Sequence, residues 1–267
     1  MALPRPAAGS TCVVTGASSG IGAELARGLA ERGHGVTLVA RRQGRLAELA
    51  DELTGAHGVR VETIAADVSR PSGRRKLRDE IAARDLTVDV LVNNAGYGSG
   101  GPFAELDGDK ETEMVRTNCE AVVALTHLYA REMVDRGRGA ILNLASLIAF
   151  QPIPFQATYG ATKAFVLSFS EALHEELRGT GVTVTAVCPG PVRTEFGEVG
   201  GFGGADDRIP SFAWLSARKV ARDALSAFER GDRVVVPGVV NRVAALYGHY
   251  TPRSLLLPLV RKVWPVE

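Results

Sequence analysis

Tyr159 and Lys163 stand four residues apart in Tyr-Gly-Ala-Thr-Lys, and a helix places residues four apart on one face. Together they could do proton chemistry. An unperturbed phenol, with a pKa of about 10, is a poor base at neutral pH. Lowering it to about 7 requires roughly 4 kcal/mol, at about 1.36 kcal/mol per unit. One cation about 4 Å away supplies about that much at an effective dielectric of about 20. A phenol poised in this way gives a proton to a carbonyl oxygen or takes one from an alcohol. Alone the spacing is a weak signal, because a tyrosine at the edge of a core and a solvated lysine satisfy it equally.

A second group of residues could hold an anion. Thr15-Gly16-Ala17-Ser18-Ser19-Gly20-Ile21-Gly22 closes an apolar β-branched run and opens a helical pattern. Glycine there lets the pyrophosphate of a dinucleotide approach the backbone without meeting a Cβ. The helix N-terminus adds unpaired N–H groups and a partial positive charge. An ordinary glycine-rich turn is the competing reading, and the position after the first strand favours a nucleotide. The second apolar run ends in Ala40-Arg41-Arg42 with no carboxylate. In dinucleotide sites an acid at this point binds the 2′-hydroxyl of NAD, and an arginine accommodates the 2′-phosphate of NADP. The pattern predicts NADP(H) over NAD(H), against the alternative of a solvated arginine pair.

The elements that would position these residues alternate. Strands are expected at 11–15, 36–40, 59–65, 88–93, 140–145, 182–188 and 233–236. Helices are expected at 21–32, 46–53, 76–84, 109–136, 157–178 and 217–230. Apolar strands alternating with helices imply an α/β fold, a doubly wound parallel sheet of the Rossmann type covered on both faces. One catalytic domain is expected over 1–250 and an apolar, basic tail over 251–267. The 267 residues carry 31 Lys+Arg against 30 Asp+Glu. That balance excludes a strongly basic nucleic-acid binder and leaves small-molecule chemistry or protein binding. The three cysteines, Cys12, Cys119 and Cys188, are far apart and form no Cys-x-x-Cys, and no metal site is expected. The first residues show no signal-peptide pattern and no long apolar run occurs, so a cytoplasmic protein is expected.

In order, TGASSGIG, Asn93-Asn94-Ala95-Gly96, Ser146, Tyr159 with Lys163, and Pro189-Gly190 resemble the short-chain dehydrogenase/reductase family. The resemblance runs from about Thr11 to Val236. It implies that Gly16, Gly20 and Gly22, with Ser18 and Ile21, line the cofactor phosphates and ribose. Asp67, beside Val68, matches the acid on the adenine amine, although an aspartate capping the next helix reads the same way. Asn93, Ala95 and Gly96 match the segment beside the adenosine ribose, where Asn93 can also brace the sheet. Asn118 matches the residue holding a water linked to the lysine, and an asparagine inside a helix is mildly unfavourable. Ser146 matches the group that polarises the substrate oxygen and Tyr159 the proton donor. Lys163 matches the residue that acidifies the tyrosine and binds the nicotinamide ribose. After Pro189 and Gly190, Val192 and Thr194 match the carboxamide contacts. Gln151–Phe155 falls where the family shapes its substrate pocket.

The implied reaction is hydride transfer between nicotinamide C4 and a carbonyl or carbinol carbon, with Arg41 and Arg42 pointing to NADPH and to reduction. The rival from another class is a cofactor-binding regulatory protein without catalysis, against which the intact Asn118, Ser146, Tyr159 and Lys163 set argues. A sugar-nucleotide epimerase would show GxxGxxG and a larger C-terminal domain. A homodimer or homotetramer is implied, closed through the long fourth and fifth helices. The segment 195–210 occupies the family's lid region, and its glycines at 197–204 predict a loop. The tail has three readings, in descending order: packing on the domain, completing a subunit interface, or lying on an acidic membrane surface. Its prolines, Pro252, Pro258 and Pro265, argue against a continuous helix.

Overall fold

The computed structural model describes residues 3–196 and 209–263. Seven strands form one sheet: β1 (Ser10–Thr15), β2 (Val36–Ala40), β3 (Val61–Ala65), β4 (Thr87–Asn93), β5 (Gly139–Leu144), β6 (Val182–Val187) and β9 (Val234–Val235). Their order is β3-β2-β1-β4-β5-β6-β9 and every pairing is parallel. This is the expected doubly wound Rossmann-type sheet. The chain steps outward from β1 to β3 and then returns across β1 to β4, so a crevice opens above β1 and β4 at the carboxyl ends of the strands.

The strands read as continuous apolar runs because both faces are covered. Cys12 and Val14 of β1 point to one layer and Val13 to the other, and Val90 and Val92 of β4 divide from Leu91 in the same way. One layer holds α1 (Gly20–Glu31), α2 (Gln43–His57) and α7 (Ala217–Arg230), with Leu25, Leu29, Leu46 and Phe228 fully buried. The other holds α3 (Pro71–Ala83), α5 (Ala121–Arg136) and α6 (Ala157–Glu176), with Leu77, Leu125 and Tyr129 inside. Two short strands, β7 (Val192–Arg193) and β8 (Leu215–Ser216), pair in parallel apart from the main sheet.

Three expectations about helices change. The third helix starts at Pro71 rather than residue 76, because proline at a first helical turn needs no hydrogen-bonded N–H. The single helix expected over 109–136 is α4 (Gly108–Val115), a π-helical turn at Arg116–Glu120, and α5. The tail over 251–267, expected to be broken by its prolines, forms α9 (Arg253–Val263), which runs through Pro258, and it follows α8 (Val239–Tyr250), a helix that the sequence did not announce. The carbonyl one turn before Pro258 belongs to exposed Ser254, where water can replace the missing donor. The glycine-rich loop expected at 197–204 lies outside the described residues.

Candidate active site

The turn between β1 and α1 is bolted to β4. The Thr15 hydroxyl donates to the Val92 carbonyl at 3.1 Å and accepts from the backbone N–H groups of Asn94 and Ala95 at 3.0 and 3.1 Å. Asn94 Nδ2 donates to the carbonyls of Thr15 and Gly16 at 2.9 and 3.2 Å. Gly16 and Gly20 have φ of +67° and +57°, which glycine alone adopts freely. The glycines were expected for closeness to a cofactor, but the nearer constraint is the turn itself. A Cβ on Gly22 would strike the Gly16 carbonyl oxygen, and one on Gly16 would lie 2.7 Å from Asn94 Nδ2. Ser19 caps α1 in an extended conformation without spending its side chain on the helix. The first N–H groups of α1 therefore stand at the crevice for an anion to take.

Beside this turn, Arg42 donates to Ser18 Oγ at 3.0 Å and Ser19 Oγ at 2.8 Å, and pairs with Glu195 at 2.8 Å. Arg45 lies 3.8 Å from the same carboxylate. The Arg42 and Ser19 hydrogen bonds hold the Glu195 carboxyl below its ordinary range. Arg41 is exposed and makes no hydrogen bond or ion pair among the described residues.

Tyr159 and Lys163 occupy one turn of the inner face of α6, where Tyr159, Lys163, Val166 and Leu167 are buried. The Lys163 Nζ lies 5.8 Å from the Tyr159 ring centroid and donates to the Leu144 carbonyl at 2.7 Å. Ser146, just beyond β5, accepts the Ile148 N–H and hydrogen-bonds to Tyr159. Phe196 covers the phenol ring, with centroids 5.6 Å apart. Asn118 sits in the π-helical turn. Its Nδ2 donates to the Tyr97 carbonyl and Thr162 Oγ1 at 2.9 and 3.0 Å, and its Oδ1 accepts from the Tyr97 N–H at 3.2 Å. A Cβ on Gly96 would lie 2.8 Å from Asn118 Oδ1 and 3.6 Å from Lys163 Nζ, so the three share one wall of the crevice. The expected acidic phenol is not found in the protein alone. Burial pushes the Tyr159 pKa up to about 12, only partly opposed by the Ser146 hydrogen bond. Burial also pushes Lys163 down to about 8.

The donor set fits a dinucleotide. Lys163 is almost fully buried yet spends one of its three N–H donors on protein among the described residues, leaving two for paired hydroxyls. The α1 N-terminus offers unpaired N–H groups at the other end of the crevice, where an anion is favoured.

The family model of the short chain dehydrogenases matches residues 10–199. The chain belongs to the short-chain dehydrogenase/reductase family of oxidoreductases. It is 40% identical over 199 residues to the granaticin polyketide synthase putative ketoacyl reductase 1 of Streptomyces violaceoruber, covering 74% of this chain and 73% of that one. It is 36% identical over 198 residues to the very-long-chain 3-oxoacyl-CoA reductase of Bos taurus, covering 73% of this chain but only 63% of the relative, under two thirds of its length. Among solved structures, the short-chain dehydrogenase from Sphingobium yanoikuyae in complex with NADPH superposes with a TM-score of 0.80 at 36% identity, over 90% of this chain and 92% of that one.

The remaining predicted residues of this short-chain dehydrogenase divide. Ala95 and Gly96 line the crevice, but Asn93 does not offer its side chain to it. Asn93 is buried, and its Nδ2 donates to Thr126 Oγ1 and Asn143 Oδ1 at 3.0 and 2.8 Å, so it braces the sheet. Asp67 Oδ1 accepts from the Ser69 N–H and hydroxyl at 3.0 and 2.7 Å, a local turn ahead of α3, whose N-cap is Arg70 and which has no side-chain cap. Val68 packs in the core beside Ile64 and Leu77. Ile21 is half-buried against the α1 layer. Pro189 accepts the Leu147 N–H at 2.8 Å, tying the Ser146 segment to the end of β6. Gly190 is needed where Asn241 of α8 crowds within 2.5 Å of its missing Cβ. Val192 lies in β7, and Thr194 packs against Gly20 and accepts the Phe196 N–H. Phe155 adopts a φ of +68°, unusual for an aromatic residue, at the predicted pocket segment.

Sequence reasoning missed Thr15, Asn94, Thr162, Glu195 and Phe196. Asn94 had a signal: neighbouring strand residues point to opposite sides, so one of Asn93 and Asn94 must leave the core. Glu195 and Phe196 had none, because their partners are distant in the chain.

Proposed function

We propose that this chain is an NADP(H)-dependent carbonyl reductase, with Tyr159 as general acid and base, and that NADP(H) is preferred over NAD(H). The observation that carries the reading is the meeting of Ser146, Tyr159, Lys163 and Asn118 at one wall of the crevice whose floor is the glycine turn. The NADPH held by the Sphingobium dehydrogenase and the ketoacyl reduction named for two relatives support it.

When bound, the nicotinamide exchanges a hydride with the substrate carbon. The protein supplies the rest. Ser146 Oγ hydrogen-bonds the substrate oxygen and holds it beside the phenol. Tyr159, protonated at neutral pH, gives its hydroxyl proton to that oxygen as negative charge develops there. Lys163, with two free donors, holds the ribose hydroxyls and faces the phenolate left behind. The Asn118 side chain, committed to Tyr97 and Thr162, fixes the π-helical turn against the Lys163 wall of the crevice. Arg41 takes the 2′-phosphate, and Asp67 keeps one carboxylate oxygen for the adenine. Val123 of α5 and Phe165 of α6 are exposed, which supports a dimer or tetramer closing there.

NADPH oxidation followed by absorbance over a panel of ketones tests the reading. Turnover by the parent and its loss in Tyr159→Phe, with NADPH still bound, is the expected result. Cofactor binding without turnover of any ketone would favour the regulatory alternative.

A further inference from the structure

The helix pair at the C-terminus is built inside out. Along α8 the inward residues are Asn241, Ala245 and Gly248, all small or polar. Asn241 donates to the Pro237 carbonyl at 3.1 Å, and Gly248 fits where a Cβ would come 2.7 Å from Gln151 Oε1. Val239, Val243, Leu246 and Tyr250 follow at helical spacing on the opposite side and are 60–75% exposed. In α9 Leu256 is buried, while Leu255 and Leu259, one turn apart, face solvent. A globular helix ordinarily turns its large apolar residues inward, and an outward apolar stripe across two helices marks a contact surface.

Charge indicates with what. From Pro237 to Val266 the sequence contains no aspartate or glutamate but has Arg242, Arg253, Arg261 and Lys262. Arg253 is turned to the carbonyls of Gly248 and Phe150, but a second copy of this face would still set exposed Arg242 and Arg261 against like charges with no carboxylate to pair them. Phosphate headgroups would pair them while acyl chains received the apolar stripe. Among the described residues no helix is long and apolar enough to cross a membrane, so the pair would lie in the plane of the interface. We infer that the outward face of α8 and α9 docks this protein on an anionic lipid surface. Because α8 packs on the Leu147–Phe150 turn, with the Phe150 and His249 rings edge to face at 6.3 Å, docking turns the Ser146 side of the crevice toward the bilayer.

Co-sedimentation of the full chain with vesicles of phosphatidylcholine alone, or mixed with phosphatidylglycerol, tests this. Partitioning onto the anionic vesicles is expected to be at least about ten-fold stronger, since each cation near the surface adds roughly five-fold, and to weaken as salt rises. Val243→Glu with Leu246→Glu is expected to lower it at least about ten-fold with an unchanged melting temperature. Arg261→Gln with Lys262→Gln, which spares the apolar stripe, should reduce only the preference for anionic lipid. No sedimentation, or equal sedimentation with both lipids, overturns the inference. So does a dimer by light scattering that the glutamate variant splits while the parent binds no vesicle, since the face would then belong to a second copy.

Discussion

The Lys163 ammonium stands 5.8 Å from the centroid of the Tyr159 ring with its hydrogen bond aimed at the Leu144 carbonyl. The cation is thus held beside the phenol by the sheet, in a place where burial works against its charge. Its pKa of about 8 in the folded protein lies below the ordinary lysine value of 10.5. The unfolded chain therefore binds more protons between about pH 8 and 10.5, and the protein gains stability as pH rises through that window. Lys163→Met should raise the unfolding free energy at pH 7 by roughly 2 kcal/mol, the charge-burial cost less one lost hydrogen bond. The advantage should shrink above pH 8. Denaturant titrations at pH 7 and pH 9.5 check both statements.

The same pKa shapes the rate. Tyr159 titrates near 12 in the free protein and stays protonated across the physiological range, ready to donate. Lys163 loses its proton above about pH 8 and with it the charge that faces the phenolate. The kcat/KM for NADPH in ketone reduction should be flat on approaching pH 8 and fall above it, because this ratio reports groups of the free enzyme. A profile of kcat/KM for NADPH, measured with dilute NADPH and saturating ketone so that the cofactor-free enzyme is the species that titrates, would reveal a limb elsewhere if another group governs.

Glu195 holds Arg42 beside Ser18 and Ser19, where a cofactor phosphate would compete for the same guanidinium. Glu195→Gln should therefore tighten NADPH binding roughly three-fold, the scale of an exposed ion pair. Arg41→Ala should weaken NADPH and leave NADH nearly unchanged. Titration calorimetry with both cofactors separates the two arginine roles.

Asn93 and Asn94 are adjacent and should fail differently. Asn93→Ala leaves Asn143 and Thr126 without a buried donor and should cost about 1–3 kcal/mol of stability, with NADPH affinity of the folded protein intact. Asn94→Ala releases the Thr15 and Gly16 carbonyls of the phosphate turn and should weaken NADPH by about ten-fold with a smaller loss of stability. Melting curves and binding isotherms on the same preparations distinguish them.

Much of this protein was legible in local order. A strand buried on both faces must be a continuous apolar run, and a crossover helix must carry its apolar residues three and four apart. Runs such as Thr11–Thr15 and Val88–Asn93 therefore announced the sheet, and Tyr159 with Lys163 announced a shared helix face. The glycine turn could be placed from its neighbours for the same reason: backbone freedom and helix start signals are properties of adjacent residues.

Where groups from distant parts of the chain meet, local order was silent. Only the folded chain showed Asn118 locked to Tyr97 in a widened turn, Phe196 laid on Tyr159, and Glu195 closing on Arg42. Which of two neighbouring asparagines faces the crevice depended on the pairing of β4 with β5. The phenol's acidity also depended on burial, which sums over the whole surroundings rather than over one nearby cation. Spacing along a chain determines which side chains share a face, but the partner opposite that face is chosen by packing between segments that no local pattern connects.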